Sequence, residues 1–346
     1  MSPMARTLLA GILLALLTAP ILAQRQETKG KRPSRECIRE IAQLCGTEPQ
    51  GVRACLAEQS QALSDKCQKQ VRKRMGVSEA DRLKPRPFVR AIRPTRSVLF
   101  GDHQRQRVDI YEPEGAVEAL PLVLFIHGGG WRIGSHERVQ AKSAHFPEQD
   151  IYFASTGYRL LPDYPVEDQA KDVGLALQAL VSQAGIIGFD AKRVVLMGHS
   201  AGAHLAALVA TDPQYASEAF GAIKGVVLLD GAGYDVAQNM EDAEFQARRV
   251  YEDAFGFDEE RKKALSPVTH VGGADAPNWL ALYVEDRAIA KKQADLLVAR
   301  LTSAGQSASA VAIANTDHGQ MNRDIGTEAG KAQTEAIDAF LTNLFD

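Results

Sequence analysis

The sequence predicts an α/β protein built on a mostly parallel sheet covered on both faces, preceded by a small disulfide-stapled helical module. Three observations carry this. From Ser97 onward, short apolar runs alternate with longer segments of helical periodicity, the pattern of crossover-connected parallel strands. Two of the apolar runs end directly in glycine-rich loops, Gly198-His-Ser-Ala-Gly202 and His127-Gly-Gly-Gly-Trp131. All four cysteines (Cys37, Cys45, Cys55 and Cys67) lie upstream of this region.

Ser97 to Phe100 and Arg107 to Tyr111 read as an early antiparallel pair. Buried-type strands are expected at Leu122–Ile126, Ile151–Ala154, Val194–Met197, Gly225–Leu229, Leu280–Val284 and Ala308–Ala314, where β-branched and aliphatic residues run without polar alternation. Helices are expected at Val166–Gln183, Ala201–Ala210, Ile289–Ala304 and Gly326–Leu344, and Asp235 to Lys263 suits a small helical cap. Right-handed crossovers would gather the strand C-termini at one sheet edge, where ligands bind in such folds.

The 346 residues are 45% hydrophobic and 24% charged, ordinary globular composition with length enough for two domains. Arg6, the apolar run Leu8–Leu17 and small residues ending at Ala23 read as a secretory signal peptide over 1–23. The run is well short of the ~20 apolar residues a membrane span needs. Export then implies disulfides. No C-x-x-C pair or nearby histidine supports a metal site in the cysteine segment. A helix ending near Gly46 followed by a second from Gln50 to Ala62 makes an antiparallel hairpin, which favours the nested pairs Cys45–Cys55 and Cys37–Cys67.

Residues 24–96 hold 18 Lys/Arg against 8 Asp/Glu, net +10, whereas residues from 97 on hold 21 against 35, net −14. The prolines at 85, 87 and 94 mark a linker over 85–96, dividing a basic module (24–84) from a larger acidic domain (97–346), to which the chemistry below belongs. A basic module suits an anionic surface, or it docks on its acidic neighbour. Without interleaved aromatic residues it offers no stacking platform for nucleic acid. Oligomeric state is not legible.

The chemistry centres on Ser200, placed between an apolar strand and a helix in G-x-S-x-G, the nucleophile-elbow arrangement. A serine on so sharp a turn needs small neighbours and unusual backbone angles. Amides at the helix N-terminus favour a developing negative charge. The glycine run after Leu122–Ile126 supplies more unobstructed amides, so Gly129, Gly130 and Ala201 are candidate oxyanion donors. A base must follow the serine and the acid in this chain order. Of eight histidines only His318, in Asp317-His-Gly319 beyond the last strand, meets that requirement. The acid is sought after Leu280–Val284, where Glu285 and Asp286 stand side by side. Trp131 and Tyr158 read as core packing. Asp168 and Asp172 read as solvated or capping, not as a carboxylate pair for glycosidic chemistry.

His127-Gly-Gly-Gly-Trp131, Tyr158-Arg-Leu-Leu-Pro162 with Asp172-Val173, Gly198-His-Ser-Ala-Gly202 and Asp317-His-Gly319 resemble, in order, the motifs of α/β-hydrolase carboxylesterases related to hormone-sensitive lipase. His199 replaces the acidic residue usual in that branch and brings the chain closer to acetyl-esterase, feruloyl-esterase and arylformamidase-like relatives. The resemblance implies hydrolysis of a small-molecule, short-chain (acetyl-type) ester through an acyl-enzyme, with no metal or cofactor. It favours Asp286 over Glu285 as the acid, giving the set Ser200, Asp286 and His318. An amide hydrolase of arylformamidase type is the alternative, and a non-catalytic surface-binding protein the third reading. The cysteine spacing between 37 and 67 resembles a small repeat first associated with a Golgi sialoglycoprotein, which implies a stapled helical unit and nothing about catalysis.

Overall fold

Eight strands form one sheet in the order β1-β2-β4-β3-β5-β6-β7-β8 in the computed structural model, which describes residues 34–45, 55–56, 62–64, 66–68, 70–71, 92–116 and 118–345. The strands are β1 (Arg96–Leu99), β2 (Arg107–Tyr111), β3 (Leu120–Ile126), β4 (Tyr152–Thr156), β5 (Phe189–His199), β6 (Ile223–Leu229), β7 (Asn278–Val284) and β8 (Ser307–Ile313). β2 pairs antiparallel with β1 and β4, and every later pairing is parallel. This is the α/β architecture expected from the alternation of apolar runs, and its mostly parallel sheet and helices match the α/β-hydrolase fold. The signal segment 1–23 and most of the linker 85–96 lie outside the described residues.

The central strands are apolar on both faces because both are covered. Along β3, Leu122, Leu124 and Ile126 join one core cluster and Val123 and Phe125 the other, all fully buried. On the first face lie α2 (Val166–Ser182), α3 (Ala201–Thr211) and α6 (Ala288–Ser303). Val166, Ala170, Val173, Leu177 and Leu180 form the buried stripe of α2, each large side chain contributing about 1.5–3 kcal/mol on leaving water. Glu167 and Asp168 in its first turn complement the helix dipole. The second face is closed by α8 (Lys331–Phe345), through Ile337 and Leu341, and by Phe146. Between β6 and β7 the segment expected to be a helical cap holds α4 (Val236–Asp242), α5 (Phe245–Phe255) and a third helix over Glu259–Ala264.

Asp172 is a correction. It is neither solvated nor capping but fully buried: it takes the Arg159 guanidinium in a fork at 2.8 and 2.8 Å, the Arg159 amide at 2.9 Å and Gln106 at 2.8 Å. A carboxylate is tolerated there because every lone pair is used. Trp131 and Tyr158 are core residues, the Tyr158 hydroxyl donating to the His127 carbonyl at 2.8 Å.

In the N-terminal module, disulfides join Cys37 to Cys67 and Cys45 to Cys55, the nested pairing that a helical hairpin favours. Cys37 lies on α1 (Arg35–Cys45) and packs with Leu56, Leu63, Cys67 and Val71 in a core of its own. Glu40 takes the Ser64 amide and hydroxyl, each at 2.7 Å, and these bonds hold its carboxyl below the usual range.

Candidate active site

Ser200 follows the last residue of β5 and is the N-cap of α3, at φ 54° and ψ −118°. Positive φ is costly for a serine and persists only where the surroundings enforce it. Here a β-carbon on Gly198 would fall 2.2 Å from the Gly202 carbonyl oxygen, and one on Gly202 would fall 2.1 Å from that of Ile126. Only glycines allow α3 to approach β3 and β5 so closely, and that approach turns the serine outward.

The Ser200 hydroxyl is 3.0 Å from Nε2 of His318. His318 opens the short helix α7 (His318–Arg323), which Asp317 caps by accepting the Gln320 amide at 2.7 Å while Gln320 accepts the Asp317 amide. This reciprocal capping box fixes where the helix starts and thereby where the imidazole sits. His199 adds a second restraint: its Nε2 donates to the His318 carbonyl at 2.8 Å and its ring tilts over that of His318 at 4.7 Å. Burial, then the neighbouring His318, push the His199 imidazole down to about 3, so it stays neutral and works as a hydrogen-bond donor.

The carboxylate that meets His318 is Asp230, not Asp286. His318 Nδ1 lies 2.7 Å from Asp230 Oδ2, and Asp230 is buried. Its other oxygen accepts the Val284 amide at 3.0 Å, and Arg287 donates to Oδ2. Burial raises the carboxyl, but the His318 hydrogen bond and the Arg287 charge outweigh it and hold it down to about 2. Glu285 and Asp286 are exposed at the apex of a turn closed by the Arg287 amide donating to the Val284 carbonyl at 2.9 Å. That turn brings Arg287 inward in place of either acid. Asp230 carries its own sequence signal, a carboxylate between the apolar run of β6 and Gly231-Ala-Gly233 at the same sheet edge. That signal marks a candidate only; the fold of the Val284–Arg287 turn decides between it and the acids after β7.

Gly129 and Gly130 adopt positive φ of 129° and 58°, and a β-carbon on the preceding Gly128 would come within 3.1 Å of that of Ser200. The glycine loop therefore lies against the serine. The amides of Gly129, Gly130 and Ala201 donate to no other group among the described residues. Such amides beside a serine, an imidazole and a buried carboxylate are the parts that acyl-transfer chemistry requires.

The fold and this geometry define an α/β-hydrolase with a serine-centred site. The chain belongs to the BD-FAE family, whose model matches residues 108–301. A probable isoprenylcysteine α-carbonyl methylesterase of Oryza sativa subsp. japonica is 33% identical over 198 residues, covering 54% of this chain and 47% of that protein. A kynurenine formamidase of Danio rerio is 25% identical over 221 residues, covering 64% and 73%. The chain spans between about a quarter and a half of the length of the first curated relatives it matches. Among solved structures, native esterase 2 of Thermogutta terrifontis aligns with a TM-score of 0.61 at 20% identity, over 78% of this chain and 98% of that one. Esterase B of Lactobacillus rhamnosis aligns with 0.60 at 21% identity, over 74% and 88%. At such identities these two establish the fold alone.

Proposed function

We propose that the protein is a serine hydrolase of short-chain carboxylic esters using Ser200, His318 and Asp230. The observation that carries the reading is the continuous contact from Ser200 Oγ through both nitrogens of His318 to Asp230. In this scheme Nδ1–H is donated to Asp230, which leaves Nε2 free to take the Ser200 proton as Oγ attacks the ester carbonyl. The amides of Gly129, Gly130 and Ala201 face the oxyanion. His318 then returns the proton to the leaving alcohol and the acyl group remains on Ser200. Water repeats the attack with His318 again as base, releasing the carboxylic acid and restoring the serine.

Short acyl groups are favoured because the cap crowds the glycine loop. A β-carbon on Gly130 would sit 3.2 Å from Val250 of α5, and the Arg132–Asp253 ion pair at 3.2 Å pins α5 to the residues after the loop. Behind it Trp131 packs edge-on against His204, Tyr251 and Phe255. The test is initial rates on p-nitrophenyl acetate, butyrate and octanoate with Ser200→Ala as control. Acetate turnover that falls with chain length and vanishes in the variant is expected, and retained turnover in the variant refutes the reading.

The likeness to a kynurenine formamidase over most of that protein's length supports a second reading, hydrolysis of an aryl formamide by the same residues. Faster turnover of an aryl formamide than of aryl acetate would establish it. We further infer export after removal of residues 1–23 and attachment of the basic module to an anionic surface. Size of the mature chain and binding of residues 24–84 to anionic vesicles test these.

A further inference from the structure

We propose that Arg287 is a positioning residue of this site, holding Asp230 in its seat and keeping the His318 ring in the form that accepts a proton. The inference rests on the serine-hydrolase reading and adds to it a residue that touches no substrate. Arg287 Nη1 donates to Asp230 Oδ2, lies 3.4 Å from the Asp230 main-chain oxygen and 2.7 Å from His318 Nδ1. Guanidinium and imidazole therefore converge on one carboxylate oxygen while the Val284 amide holds the other. Asp230 is itself at a positive φ of 46°, a backbone position for which its side-chain bonds must compensate.

The charges decide what this arrangement does. With the ring neutral, Arg287 and Asp230 cancel. With the ring protonated, the cluster carries one net positive charge, and the guanidinium opposes a second cation a few Å away. Asp230 thus lends His318 only part of its charge, the rest being taken by the guanidinium on the same oxygen. The other groups facing the cluster leave this balance intact. His199, from the end of β5, is neutral. Tyr234, which follows β6, is a buried phenol and Tyr251 of α5 a half-buried one, both raised by desolvation. Lys142, acting on His199 through space, bonds Gln140 and the Asn322 carbonyl. Asp317 is spent on its cap. The Arg287 side chain is 40% exposed, so solvent screens its charge and limits the effect to ~1 pH unit.

The experiment follows the rate of Ser200 labelling by a fluorophosphonate probe between pH 5 and 9, by intact mass, in the full-length protein. This readout needs no knowledge of the substrate. Arg287→Met is expected to move the acid limb of the profile up by ~1 pH unit, a tenfold loss below the limb with a smaller loss on the plateau, and Arg287→Lys to restore it. Thermal melts confirm that both variants fold. A Met profile lowered equally at every pH, or unchanged, overturns the proposal. No labelling of the wild type, or labelling of Ser200→Ala, refutes instead the underlying reading of Ser200, and the proposal falls with it.

Discussion

Replacing Asp230 by Asn tests the assignment of the acid. The carboxylate accepts from Val284 through one oxygen and from Arg287 and His318 through the other, so an amide cannot satisfy all three donors. If its NH2 faces His318, the ring must place its proton on Nε2, where it points at Ser200 and cannot accept. If its oxygen faces His318, the NH2 opposes the Val284 N–H and the negative charge is still gone. A unit charge ~4 Å from the imidazolium contributes about 4 kcal/mol at an effective dielectric near 20, or ~10³-fold in rate. Ser200 and the amide donors remain, so measurable turnover survives. Initial rates on p-nitrophenyl acetate, with Asp286→Asn beside Asp230→Asn, decide it. Asp230→Asn is expected to lose ~10³-fold in kcat and Asp286→Asn to stay near wild type. A larger loss at Asp286 would refute the reasoning.

Two further outcomes concern stability. The ammonium of Lys142 is buried without a carboxylate bond, and desolvation pulls it down to about 7. The unfolded chain therefore binds more protons between pH 7 and 10.5, so the stability lost on burial returns as pH rises through that window; denaturant midpoints across it should show the slope, and Lys142→Met should flatten it. The Cys37–Cys67 and Cys45–Cys55 bridges close separations of 30 and 10 residues. Their reduction should destabilise the module by about 4 and about 3 kcal/mol on chain-entropy grounds. Mild reductant should then expose residues 34–71 to protease while p-nitrophenyl acetate turnover is unchanged; lost turnover would show that catalysis depends on the module.

The fold was legible because its determinants are local. Apolar runs such as Leu122–Ile126 have to be covered on both sides, and helical periodicity in Val166–Gln183 or Ile289–Ala304 supplies the cover. Ser200 and His318 were legible for a related reason, since small residues and chain order announce them. The acid was not, because it depends on how one turn is folded. Val284 to Arg287 presents four residues of which three can bond, and only the turn's closure decides that Arg287 points in while Glu285 and Asp286 point out. The burial of Asp172 escaped the sequence reading for the same cause: its partners Gln106 and Arg159 arrive from other elements. The disulfide pairing was recoverable because a hairpin leaves so few choices.

Ser200 and Asp230 occupy the next step of one register, beyond His199 paired with Leu229 on neighbouring central strands, and both are locked in left-handed backbone. Their separation is therefore a dimension of the sheet's middle. His318 is different in kind: it hangs on a single short turn beyond β8, the outermost strand, tethered by the Asp317 cap, His199 and, through the Asn322 carbonyl, Lys142. Two parts of the relay are thus set by the middle of the sheet and the third by supports beyond its edge. Warming or mild denaturant should loosen those outer supports first, so that p-nitrophenyl acetate turnover is lost while the sheet that frames the site is still standing.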